Sequence, residues 1–160
     1  MKKVFAILLT TAFISACATQ PFKDTGIDHT LTPALAKQDR LAAGDKIMWG
    51  GTILKSENFK DKTRLEILSY PVNKNGQIDK DADPTGRFYA LYDGYLETAE
   101  YRKNRWVSLT GQYQGKESGK VGEADYSFPV ANISQLHLWP NEPAQRRSPN
   151  VQFGIGVLVR

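Results

Sequence analysis

Ile47-Met48-Trp49-Gly50-Gly51-Thr52-Ile53-Leu54 is the stretch whose reading decides the fold. Its apolar residues do not recur at helical spacing. Ile47, Trp49, Gly51 and Ile53 fall on one face of an extended chain, and Met48, Gly50, Thr52 and Leu54 on the other, which is the period of a strand. Two adjacent glycines inside such a run mark a bend or bulge where another backbone approaches closely. Downstream, Leu65 and Ile67 share one face, whereas Leu68, Tyr70 and Val72 share the opposite parity. A switch of parity within one strand is the signature of one extra residue, and bulges of this kind curl small sheets into barrels.

The neighbouring segments complete the pattern. Before the deciding stretch, Thr32 as N-cap, Pro33 at the first helical position, helix formers over 34–43 and a terminating Gly44 predict a short helix. After it, Asn73 to Gly86 reads as a turn-rich loop with Asn75-Gly76 as its sharpest turn. Arg87 to Tyr92 reads as a strand. Tyr95, Leu96, Ala99 and Tyr101 then predict a short helix or ordered loop crossing between Asp93 and Asn104. Val107, Leu109, Gly111 and Tyr113 alternate with Trp106, Ser108, Thr110 and Gln112 in a half-buried strand. Gly115 to Gly122, rich in glycine and charge, reads as a loop. Tyr126, Phe128 and Val130 alternate again, with Pro129 pointing to an edge or bulge, and Leu136 and Leu138 face opposite to His137 and Trp139. Three strands, a crossing element and further strands are the order of a small OB-like β-barrel, an all-β fold with one or two short helices.

The N-terminus speaks to location. Lys2 and Lys3 precede an uncharged apolar run from Val4 to Ile14, then Ile14-Ser15-Ala16-Cys17, which holds the only cysteine of the chain. A basic start, an apolar run too short to span a bilayer and small residues before a cysteine form the layout of a lipoprotein signal peptide. Cys17 would then become the lipidated first residue of the mature protein, held by several acyl chains. An ordinary secretory signal that happens to end near a cysteine is the alternative. Ala18 after that cysteine, where an Asp would favour retention at the inner membrane, points to the outer membrane. The expected organisation is a signal peptide over 1–16, a lipidated tether over 17–30, a barrel domain over 31–140, and a linker with a C-terminal strand over 141–160. Removing residues 1–16 leaves 144 residues and lowers the net charge from +4 to +2. A near-neutral chain of one-domain size lacks the concentrated basic footprint of a nucleic-acid binder.

Seven blocks behind this leader also carry a resemblance. Ile47 to Ile53, Thr63-Arg64-Leu65-Glu66-Ile67-Leu68 with Tyr70-Pro71, Gly86-Arg87-Phe88, Tyr95-Leu96-Glu97 with Tyr101, Val107-Ser108-Leu109-Thr110-Gly111, Gly122-Glu123 with Tyr126-Ser127-Phe128-Pro129-Val130, and Leu136-His137-Leu138-Trp139 resemble, in order and spacing, the Slp family of outer membrane lipoproteins. The likeness runs from about Gly44 to Trp139. It implies an outer membrane lipoprotein of Gram-negative bacteria induced in starvation or stationary phase, and brings no catalytic residues with it.

Candidate chemistry is sparse. His29 and His137 each lack a cysteine or second histidine at metal-ligand spacing. Asp79, Asp81 and Asp83 match the first ligands of a calcium loop, but Pro84 stands where a flexible glycine is needed and Ala90 where the bidentate glutamate belongs. No nucleophile can be paired with a base, so the expectation is a non-enzymatic protein without cofactor or metal. Glu66, Arg87 and Glu123 sit among apolar or glycine neighbours. If they face one another inside a barrel, Arg87 could pair bidentately with Glu66 or Glu123 to fix strand register; the alternative is a ligand-binding charge at the barrel mouth. Trp49, Trp106 and Trp139 could form a stacking face for a periplasmic glycan, lipid headgroup or peptide, or could simply pack.

In the tail, Val151, Phe153, Ile155, Val157 and Val159 alternate with Gln152, Gly154, Gly156, Leu158 and Arg160. This predicts a strand over 151–160, which either completes the barrel's own sheet or adds to another chain, giving self-association or a docked envelope partner.

Overall fold

The computed structural model describes residues 20–22 and 25–141. Cys17, the leader and the strand expected at 151–160 lie outside the described residues. Helix α1 (Pro33–Lys37) is followed by strands β1 (Lys46–Asn58), β2 (Lys62–Tyr70), β3 (Gly86–Asp93), β4 (Trp106–Val121) and β5 (Ala124–Leu138). The strands close into a barrel in the order β1-β2-β3-β5-β4, with β4 returning to β1. Among the described strands only the β3–β5 pairing, Tyr89 to Leu91 against Val130 to Asn132, is parallel. This is the five-stranded OB-like topology the sequence order implies.

Alternation sorts the side chains as expected on β1. Ile47, Trp49 and Ile53 point into the barrel with Leu65, Ile67, Phe88, Ala90, Val107, Leu109, Tyr113 and Ala131. Trp49 and Phe88 meet edge to face with centroids 4.9 Å apart. Burying each large apolar side chain contributes about 1.5–3 kcal/mol, so this interior is the main source of stability. The glycines of the deciding stretch have different reasons. A Cβ on Gly51 would collide with the Leu68 carbonyl on β2, and one on Gly111 with the Asn132 carbonyl on β5. At both positions neighbouring backbones pinch together, as at the corners of a small barrel.

Several expectations are corrected. The extra residue is not on β2, which alternates without interruption from Thr63 to Tyr70; it is Leu54 on β1, where the register jumps from Ile53↔Ile67 to Lys55↔Glu66. Helix α1 ends at Lys37 rather than near Gly44 because Asp39 adopts φ 58°. The amides of Asp39 and Arg40 then bond the carbonyls of Ala36 and Leu35, a Schellman stop. Of the two readings of the crossing segment the ordered loop holds, over 94–105, pinned by Thr63, whose hydroxyl donates to Gly94 O at 3.0 Å and accepts Leu96 N at 2.9 Å. Gly115 to Gly122 is not a loop. Its residues through Val121 form the outer half of β4 and pair with β5 down to Val121↔Ala124. The separate runs at 126–130 and 136–139 are mostly one strand, β5, interrupted by a register shift opposite Thr110/Gly111.

Candidate functional site

The outward-facing residues of β1 and β4 are not uniformly wet. Met48 and Ser108 are fully buried although they lie outside the barrel. What covers them is the 71–85 connection between β2 and β3, together with the segment that precedes α1. Asn73 organises the connection: its side-chain oxygen accepts the amides of Asn75 and Gln77 at 2.9 and 3.1 Å, and its carbonyl accepts Gly76 N at 2.9 Å. Gly76 takes φ 78°, which the turn requires. Val72 and Ile78 then bridge, and with Phe22, Met48 and Ile27 they make a second, smaller apolar cluster. Gly50 lies beneath it, so close to Val72, Ile78 and Ser108 that a Cβ there would need all three to shift.

A hydrogen-bond relay fixes the loop to the strands. Ser108 Oγ donates to Gly76 O at 2.6 Å and accepts Trp139 Nε1 at 2.9 Å. Trp139 lies beside Trp106 across the β4–β5 ladder, its amide bonding Trp106 O at 2.9 Å. Trp106 packs edge to face on Tyr70 at 5.1 Å, with Lys80 Nζ 5.2 Å from its ring centre. His137 meets Trp139 edge to face at 4.5 Å, and burial lowers its pKa below the ordinary imidazole value. Between Trp139 and the loop residues Gln77, Ile78, Asp79, Lys80 and Asp81 runs an open groove of about 400 Å³. On the loop's other side, a groove of about 480 Å³ includes His29. Asp79 Oδ1 is turned onto Asp81 N at 3.2 Å. Among the described residues no group of three or more histidines, cysteines and carboxylates could hold a metal ion.

The chemistry open to this face is adhesive. Ser108 sits opposite His137 in the register, but its proton is committed to the Gly76 carbonyl, so this hydroxyl is not poised on the imidazole as a nucleophile. A half-buried indole beside carboxylates and amides can stack on and hydrogen-bond an uncharged polar ligand.

Of the candidate residues, only Trp106 and Trp139 come together on this face. Trp49 is 2% exposed inside the barrel, its Nε1 donating to Leu31 O at 2.5 Å. Glu66 and Arg87 do pair, Oε1 to Nη1 at 2.9 Å, but on the outer surface of β2 and β3 and through one contact, not bidentately within the barrel. Glu123 is exposed in the β4–β5 turn and is not their partner. The centre of the β2–β3 face is instead Arg64, which bonds Glu57 at 2.9 Å and Glu117 at 3.0 Å and stacks its guanidinium on Tyr89 and Phe59. Hydrogen bonds from Lys55 and Arg64 hold the Glu57 carboxyl below its usual pKa. Burial, and then Glu66, raises that of Tyr89. Arg64 stands inside one of the sequence blocks, but only the pairing of β4's outer half, which brings Glu117 across, reveals its role.

The model of the outer membrane lipoprotein Slp family matches residues 14–155, beginning at Ile14 ahead of Cys17. The Escherichia coli outer membrane protein Slp is 29% identical over 159 residues, covering 95% of this chain and 84% of that protein. The Escherichia coli lipoprotein YeaY is 28% identical, covering 84% of this chain and 68% of that one. An uncharacterized protein of Haemophilus influenzae is 29% identical over 66% of this chain, a stretch spanning 57% of its own length. Among solved structures, the Saccharomyces cerevisiae mitochondrial single-stranded DNA-binding protein Rim1 overlaps 62% of this chain and 99% of its own, at 14% identity and a TM-score of 0.40, a level of overlap from which nothing about ligands follows. With the family match covering residues 14–155, and with them the whole barrel, the chain belongs to the outer membrane lipoprotein Slp family.

Proposed function

We propose that this protein works without catalysis, as a barrel tethered to the outer membrane through acyl chains on Cys17. As a member of a family of outer membrane lipoproteins, it is an envelope lipoprotein. The observation that carries the anchor is the continuity of the family match across Ile14-Ser15-Ala16-Cys17 into the barrel. Lipidation is the step that turns a secreted barrel into a membrane protein, since several acyl chains at about 0.8 kcal/mol per buried methylene give lasting attachment. An association with starvation or stationary phase follows from the family resemblance and is part of the proposal. Globomycin, which blocks lipoprotein signal cleavage, should cause an unprocessed precursor to accumulate, and palmitate should label the parent but not Cys17→Ser. A membrane-bound parent that takes up no label would refute the anchor. Comparing protein levels in growing and stationary cells tests the stress association, and constant levels would remove it.

A second reading is favoured by the groove beside Trp139. Its indole, held by Ser108, and the side chains of Gln77, Asp79 and Asp81 are suited to a glycan or polar headgroup. Titrating envelope glycans while following tryptophan emission tests this. A response retained in Trp139→Ala would place any binding elsewhere.

A further inference from the structure

We infer that Phe22 is a latch that sets which end of the barrel faces the bilayer. The inference rests on the lipid anchor at Cys17 proposed above. Phe22 is 3% exposed, seated among Met48, Val72, Ile27 and Ile78, with its ring against Gly76 where any Cβ would collide with it. Five residue steps separate Cys17 from Phe22. An extended chain covers at most about 3.6 Å per residue, so the two Cα atoms lie no more than about 18 Å apart. The barrel is longer than this tether. From Met48 at the latch, β1 runs to the turn at Phe59, eleven steps at about 3.3 Å each, or roughly 36 Å before the strand's coiling shortens it. The headgroup layer therefore meets the end that carries the 71–85 connection.

The surface chemistry of the two ends fits this orientation. The latch end presents exposed Asn73, Lys74 and Gln77, polar groups suited to a hydrated headgroup layer. Among the described residues the exposed large hydrophobics, Phe59 at 50% and Tyr95 at 67%, sit at the far end. They are neighbours through the Gly94 N to Asp61 O bond of 2.9 Å. With the latch closed, this aromatic pair points away from the anchoring leaflet and does not insert into it.

The native cysteine is consumed by the anchor, so an introduced thiol is a unique labelling site. Full-length lipidated Lys74→Cys and Lys60→Cys, each carrying a fluorophore, would be reconstituted into phosphatidylethanolamine–phosphatidylglycerol vesicles doped with a headgroup-nitroxide lipid. Quenching should be several-fold stronger at position 74 than at position 60. Phe22→Ser should shrink the difference, and so should a flexible insert of about ten Gly and Ser residues between Ala18 and Thr19, which leaves Phe22 docked while lengthening the reach. Equal quenching at the two positions, or a difference untouched by the insert, would overturn the latch. Flotation with the vesicles reads the anchor separately: protein that fails to float overturns the anchor and the latch together, whereas floating protein with equal quenching overturns the latch alone.

Discussion

Trp139 donates its indole N–H to Ser108 Oγ across 2.9 Å, and Ser108 passes its own proton to the carbonyl of Gly76 at 2.6 Å. One hydroxyl thus ties the residue that follows β5, strand β4 and the 71–85 connection together. Ser108→Ala leaves the Gly76 carbonyl buried without its donor and frees the Trp139 ring. The expected cost is about 1–3 kcal/mol, with tryptophan emission shifted to the red. A melt and an emission spectrum indistinguishable from the parent would show that the relay contributes nothing.

Gly51 and Gly111 are corner residues, and their substitution differs in kind from that of an open glycine. Gly51→Ala and Gly111→Ala drive a methyl into the carbonyls of Leu68 and Asn132, which overpacking places at about 1–3 kcal/mol or more. Gly26→Ala meets no atom within 4 Å and bears only the strain of a left-handed backbone, about 1 kcal/mol. Urea unfolding of the chain from Ala18 onward would rank them, and equal midpoints for Gly26→Ala and Gly111→Ala would contradict the pinched-corner account.

Much of this was legible in the sequence, and the failures have physical causes. The alternation of Ile47, Trp49 and Ile53 reported the barrel interior because these side chains recur at every second position, although Met48 and Gly50 on the opposite face of β1 are buried as well. The outer half of β4 was not legible: from Gln114 to Lys120 it is mostly exposed and leaves no periodicity to read. The bulge at Leu54 was displaced onto β2 because Val72 is apolar for another reason, the outer cluster around Phe22. Trp106 and Trp139 are neighbours, joined by the bond from the Trp139 amide to the Trp106 carbonyl. Trp49 was not separable from them, since an indole in a barrel interior and one on its surface read alike in a strand. Ser108 carries no sequence signal at all; it matters because a loop lies down on it.

Glu66 and Arg87 test how much the outer ion pair contributes. Their side chains keep 17% and 33% exposure and share one contact of 2.9 Å. Pairs screened by solvent couple by about 0.2–1 kcal/mol. A double-mutant cycle with Glu66→Gln and Arg87→Gln should fall in that range. A coupling of several kcal/mol would restore the idea of a buried, register-setting pair.

His137 should make stability depend on mild acid. Burial lowers its pKa in the folded chain, so below about pH 6.5 the unfolded chain binds a proton that the folded chain resists. Stability from this group is complete above that pH and falls as pH drops through it toward the lower native value. Parent and His137→Gln, melted between about pH 7.5 and 5, should diverge, with the parent losing more. Parallel slopes would mean that His137 is as well hydrated folded as unfolded.

The central claim is that the barrel hangs from Cys17 by acyl chains, and mass spectrometry of the N-terminal peptide of protein purified from membranes tests it most directly. The account predicts a peptide beginning at Cys17 and carrying a thioether-linked diacylglycerol with an amide-linked acyl chain. A membrane-derived peptide that begins elsewhere, or begins at an unmodified Cys17, would contradict it.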